Sequence, residues 1–244
     1  MPDFANPSGV SMPENTRRAL LSLAREENFL LLEDNPYGLF HGDTARVPTL
    51  KALDKHRRVV YLGSFAKTAL PGARVGYVVA DQTVRDADGT VGLLADELSK
   101  IKSMLTVNTP ALAQAVVGGK LLEHGRSLVR ATHRERAVYA ANRARITEGL
   151  AARFGENSAV TWNVPTGGFF VVVSVPFTVD DALLARSARD YGVLWTPMHH
   201  FYDTTGGTRS LRLSCSVVTP EQIDVGLDRL AHLVNDELAI PARR

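Results

Sequence analysis

The 244-residue chain is 45% hydrophobic and 22% charged, the balance of an ordinary globular protein with apolar material for one large or two modest cores. A formal net charge of +2 without a long basic run argues against nucleic acid as the main partner, and the lone cysteine, Cys215, excludes an internal disulfide and suits a reducing cytoplasm. No run approaches the roughly 18 apolar residues of a membrane span, and no basic-then-apolar leader marks a signal peptide.

In chain order, Asn6-Pro7-Ser8-Gly9 reads as a turn. A helix then begins around Met12-Pro13-Glu14, with Ser11 or Met12 at its cap and Leu20, Leu23 and Ala24 on its apolar face. Residues 29–33 are apolar up to the last position, as a parallel strand covered on both faces should be. This strand runs into Asp34-Asn35-Pro36-Tyr37. A loop over 38–48 follows, with Gly42-Asp43 as its turn signal. Strands at 59–62 and 75–80 flank a small-residue turn that holds Lys67, and 81–92 reads as a surface loop.

Helical patterning over 93–122 is interrupted at Asn108-Thr109-Pro110, where Thr109 is expected to cap a second helix. A single amphipathic helix is expected over 128–154, closed by Gly155. Strands at 160–164, 168–175, 193–196 and 210–214 alternate with helices at 180–191 and 220–235. The order predicts an α/β chain in two parts: a large-domain sheet over 1–122 and a small α+β domain over 123–244.

The chemistry centres on the turn. One lysine between two apolar strands is expected to be desolvated, which depresses its pKa and frees a neutral amine to form a Schiff base with an aldehyde. Ser64 before it and Arg74 after it supply a hydroxyl and a forked guanidinium for a phosphate. An aldehyde that carries a phosphate suggests pyridoxal 5′-phosphate, PLP.

Taken together, Asn6-Pro7-Ser8-Gly9, Asp34-Asn35-Pro36-Tyr37, Ser64-Phe65-Ala66-Lys67, Pro71-Gly72-Ala73-Arg74-Val75-Gly76-Tyr77 and Leu211-Arg212-Leu213-Ser214 resemble the motifs of fold-type-I PLP enzymes, specifically class I/II aminotransferases. The resemblance implies a role for each residue. Lys67 is the Schiff-base lysine and later the base that moves the substrate proton. Asp34 pairs with the pyridine nitrogen, a charged hydrogen bond of about 1.5–3 kcal/mol. Tyr37 and Asn6 donate to the ring hydroxylate, Ser64 and Arg74 grip the phosphate, and Arg212 holds the substrate carboxylate, with Arg209 as its competitor. Gly167-Gly168-Phe169 resembles a loop that enters the active site, and Thr109 a residue that reaches a neighbouring subunit.

The resemblance also implies a homodimer that moves an amino group between an amino acid and a 2-oxo acid, and the cysteine usage places it in the cytoplasm. Family members carry a long segment ahead of the Asn6 turn; here either a second polypeptide supplies it, or the chain is a truncated form, or it is a degenerate, inactive relative. The alternative is the PLP- and ligand-sensing domain of a MocR-type transcription regulator. His199-His200 stands near no carboxylate or cysteine cluster in the sequence, so no metal site is expected. Cys215, Trp162 and Trp195 are expected to be packing residues.

Overall fold

The computed structural model describes residues 1–42, 46–155 and 158–240, and the expected turn at Gly42-Asp43 lies partly outside them. The chain divides into two compact units: Met1–Asp3 with Ser11–Arg136, and Phe4–Val10 with Ala137–Arg244.

The first unit opens with helix α1 (Glu14–Glu26). Pro13 stands at its cap without a side-chain bond, so neither Ser11 nor Met12 serves there. Its buried residues are Arg17 and Ala24, while Leu23, expected on the apolar face, is 47% exposed. The guanidinium of Arg17 takes the inner position because five hydrogen bonds compensate its burial there.

Strand β1 (Leu31–Asp34) pairs in parallel with β2 (Val59–Ser64), and β2 pairs antiparallel with β3 (Gly76–Val79), in the order β1-β2-β3. The expectation that both faces of β1 are covered is not met, since Leu32 is 70% exposed while Glu33 on the opposite face is buried. Glu33 accepts from Leu50 N at 2.9 Å and Lys51 N at 2.8 Å, closing the first turn of α2 (Leu50–Leu53). Burial raises its carboxyl pKa above the ordinary value, against those two hydrogen bonds.

The expected loop over 81–92 is instead a hairpin of β4 (Thr83–Arg85) and β5 (Val91–Leu93). Its turn is closed by Gly89 N donating to Asp86 O at 2.9 Å, with Gly89 at φ 90°, a left-handed conformation that glycine adopts at little cost. Helices α3 (Leu94–Thr106) and α4 (Ala111–Glu123) follow, with Pro110 and not Thr109 at the cap of α4. Val117 of α4 packs with Ala73 and Val75, and Phe65 and Ala69 of the lysine turn join that cluster. The single helix expected over 128–154 is two, α5 (Leu128–Ala131) and α6 (His133–Phe154). The break falls at Thr132, whose backbone (φ −107°, ψ 7°) leaves the helical region while its hydroxyl donates to Leu128 O at 2.8 Å.

The second unit holds a four-stranded antiparallel sheet in the order β6-β7-β9-β8: β6 (Thr161–Trp162), β7 (Phe170–Ser174), β8 (Thr196–Pro197) and β9 (Ser210–Ser214). Helix α7 (Asp181–Arg186) passes into a π turn (Ser187–Tyr191) and ends at left-handed Gly192. Helix α8 (Pro220–Ala239) starts in a full capping box of Thr219 and Gln222. Its buried Leu227, Leu230, Leu233 and Val234 join Ile146 and Leu150 of α6 and Val171, Val173 and Leu211 of the sheet as core residues. Cys215 is fully buried and Trp195 is 6% exposed with Nε1 donating to Ser187 Oγ at 3.0 Å, as packing residues should be. No helix among the described residues is long and apolar enough to cross a membrane.

Candidate active site

Five of the expected residues belong to the first unit and gather at one end of its sheet. The registers locate them. Asp34, the last residue of β1, lies opposite Leu62, two positions before Ser64; Ser64, the last residue of β2, lies opposite Gly76, two positions after Arg74. The carboxyl ends of the two parallel strands and the start of the antiparallel one therefore meet, the end at which open α/β sheets bind ligands. Strand alternation turns Glu33 inward and leaves Asp34 exposed.

The lysine turn is held by its neighbours. Phe65 N donates to Val75 O at 2.9 Å, and Ala69 N returns to Phe65 O at 2.8 Å. The Phe65 ring lies 5.0 Å from that of Tyr77, which itself covers Gly63. Phe65 and Ala69 thus take the apolar contacts, and Lys67 between them is exposed, not desolvated as expected. Ser64 Oγ accepts from Ala66 N at 3.2 Å, which leaves its own O–H to donate. Arg74 has left-handed backbone (φ 51°, ψ 39°), uncommon outside glycine. That corner leaves its guanidinium exposed, where burial at a strand start was expected. The side chains of Asp34, Lys67 and Arg74 form no ion pair or hydrogen bond with another described residue.

Tyr37 is buried at 7%, and the loop that carries it is fixed by residues that pattern reading missed. Asn35 donates from Nδ2 to Asp3 Oδ2 at 2.7 Å and accepts from Gly38 N at 2.9 Å. Asp3 in turn pairs with Arg17, which also donates to Met12 O at 2.9 Å, Pro48 O at 3.0 Å and Pro2 O at 3.3 Å. Only an arginine in the first turn of α1, one turn ahead of Leu20 and Leu21 and two ahead of Ala24, could have hinted at this network.

Asn6 and Arg212, expected at different ends of the ligand, are joined in the second unit: Arg212 Nη1 donates to Asn6 Oδ1. Arg212 Nη2 donates to Thr196 Oγ1 at 3.2 Å, and its guanidinium lies 4.2 Å from the Phe170 ring and 5.1 Å from that of Phe201. Stacking on two rings directs the edge of the guanidinium toward in-plane acceptors. Arg209, its competitor, is exposed. The segment bearing Asn6 is seated by Ala5 N to Val10 O at 2.9 Å and Asn163 Nδ2 to Ser8 O at 2.6 Å. An apolar cleft of about 520 Å³ lined by α6, β9 and α8 contains none of the expected residues.

Residues 4–230 match the protein family described as aminotransferase class I and II. The chain belongs to that family. A relative, (S)-3,5-dihydroxyphenylglycine transaminase of Amycolatopsis orientalis, is 56% identical over 240 residues, which is 98% of this chain and 53% of the relative. Among solved structures, kynurenine aminotransferase of Pyrococcus horikoshii in complex with PMP has a TM-score of 0.82 at 31% identity, covering 98% of this chain and 56% of that one. LysN, the α-aminoadipate aminotransferase of Thermus thermophilus, complexed with N-(5′-phosphopyridoxyl)-L-leucine, also scores 0.82, at 28% identity, over 98% of this chain and 58% of that one. The fold is that of these aminotransferases, and the chain spans about half the length of the relatives it matches.

Proposed function

We propose that this chain carries the lysine-bearing part of a PLP-dependent aminotransferase site, which exchanges an amino group between an amino acid and a 2-oxo acid. The observation that supports it most is the meeting of Asp34, Ser64 and Arg74 at one sheet end beside the Lys67 turn, with one anion and two cations exposed and unpaired. That donor set fits PLP: a carboxylate for the ring nitrogen, a hydroxyl and a guanidinium for the phosphate, and an amine for the aldehyde. When bound, PLP supplies an electron sink for the substrate carbon.

The chain's own residues supply the rest. Asp34 holds the ring nitrogen protonated by its negative charge. Within the first unit, Tyr37 is the candidate donor to the ring oxygen. Lys67 would hold the cofactor through its aldehyde, and its amine, when free, would take the proton from the substrate Cα. Its exposure in the chain serves both tasks, since the amine must leave and return. The left-handed backbone at Arg74 supports a working role, because such conformations cost energy and cluster at binding sites. Arg212 takes the substrate carboxylate through the edge of its guanidinium. The arylglycine named for the 56% identical relative supports an aromatic amino acid as the donor. A homodimeric assembly and a cytoplasmic setting belong to the same reading.

The test is incubation with PLP, borohydride reduction and mass mapping of the pyridoxylated residue. The expected label is on Lys67 and vanishes in Lys67→Ala. A label elsewhere that persists in that variant overturns the assignment. Asp34→Ala should keep the label while amino transfer drops by about 10²-fold or more.

A further inference from the structure

The fold brings Asp181 together with His199 and His200, 18 and 19 positions later in the sequence, to make a trio of metal-ligating side chains outside the proposed active-site set. Asp181 is the first residue of α7, and His199 and His200 sit on the 3₁₀ turn Met198–Phe201. One ligand atom from each lies within 4.8 Å of the others. His200 Nε2 is 2.8 Å from Asp181 Oδ1, and His199 Nε2 is 3.8 Å from Asp181 Oδ2. Ligands about 2.0–2.1 Å from a tetrahedral ion stand roughly 3.3 Å from one another, and the two imidazole–carboxylate separations, one to each oxygen of Asp181, fall on either side of that value.

Both sides of the cluster are anchored. Asp180 Oδ1 accepts from Leu183 N at 2.8 Å and fixes the start of α7. On the other side Met198 is buried, and Tyr202 N returns to His199 O at 3.1 Å. His199 Nδ1 lies 3.3 Å from Val179 O. With the ring proton donated to that carbonyl, the lone pair of Nε2 faces the cluster; a backbone carbonyl is the usual outer partner of a metal-bound imidazole.

We propose that Asp181, His199 and His200 form a binding site for a divalent transition ion of the zinc class. Two imidazoles and one carboxylate suit that class better than the oxygen-seeking magnesium or calcium ions, with water completing the coordination. All three groups are partly or well exposed, so the ion has direct access. An ion there ties the start of α7 to the turn that carries Phe201, whose ring lies 5.1 Å from Arg212.

The experiment is calorimetric titration of the full chain, stripped of metal by chelation, with zinc chloride, repeated with cobalt chloride to read the visible absorption of the bound ion. One ion per chain is expected, with affinity at least about tenfold weaker in His200→Ala and in Asp181→Asn, given that outer-sphere losses alone cost that much. The cobalt spectrum should change or vanish in the same variants. Circular dichroism of each variant checks that the fold is kept. Absence of stoichiometric zinc uptake overturns the proposal, as does unchanged affinity in a His199→Gln/His200→Gln double variant.

Discussion

Asn35 donates to Asp3 at 2.7 Å inside the first unit, so the loop bearing Tyr37 is bonded to a buried ion pair that begins in helix α1. The side chain of Arg17 is fully buried and that of Asp3 nearly so. A pair in this setting is costly to break, because the surviving charge has no water to turn to. Asp3→Ala should therefore destabilise the protein by about 3–5 kcal/mol. Asn35→Ala, which leaves Asp3 with its main partner, should cost about 1–3 kcal/mol. Urea titrations of the two variants check the ranking; equal and small shifts would show that the network is not strained by the loss.

The second prediction concerns Arg212. If its forked edge receives the substrate carboxylate, Arg212→Lys removes the paired geometry while keeping the charge. A charged hydrogen bond of about 1.5–3 kcal/mol corresponds to roughly a 10–150-fold weaker amino-acid affinity. Arg209→Ala should leave affinity unchanged. Steady-state kinetics on the active assembly separates the two, and the reverse ranking moves the role to Arg209.

Gly168 has φ 72°, and a Cβ there would stand 2.5 Å from the Cβ of Phe4. Gly168→Ala must therefore strain its own backbone and push the segment that carries Asn6. The expected cost is about 1–3 kcal/mol, with weakened substrate binding because Asn6 and Arg212 are bonded to each other. Thermal unfolding and substrate titration check the two effects; a variant as stable as the parent would mean the segment yields freely.

Burial pushes the Cys215 thiol up to about 11 from 9.0. Between those values the folded chain holds a proton that the unfolded chain releases, so stability should fall as pH rises from about 9 to 11 and be unaffected below. The full effect is on the order of 2–3 kcal/mol. Cys215→Ala should remove that part of the pH slope, measured by urea unfolding at several alkaline pH values. Alkylation of Cys215 should likewise occur only on unfolding.

Much of this protein is decided by local chemistry and so is legible in the sequence. The apolar runs that become β1, β2, β7 and β9, the capped helix α8 and the small-residue turn around Lys67 follow from periodicity and from residues with few conformational choices. What the sequence could not decide depends on partners far along the chain. Whether Lys67 is desolvated turned on which neighbours took the apolar contacts, and Phe65 and Ala69 took them. The buried face of α1 turned on Arg17 finding Asp3, and the His199-His200 pair met its carboxylate only because α7 starts beside that turn. Long-range pairing of charges leaves no periodic trace, because its energy comes from contacts that exist only once the chain has closed on itself.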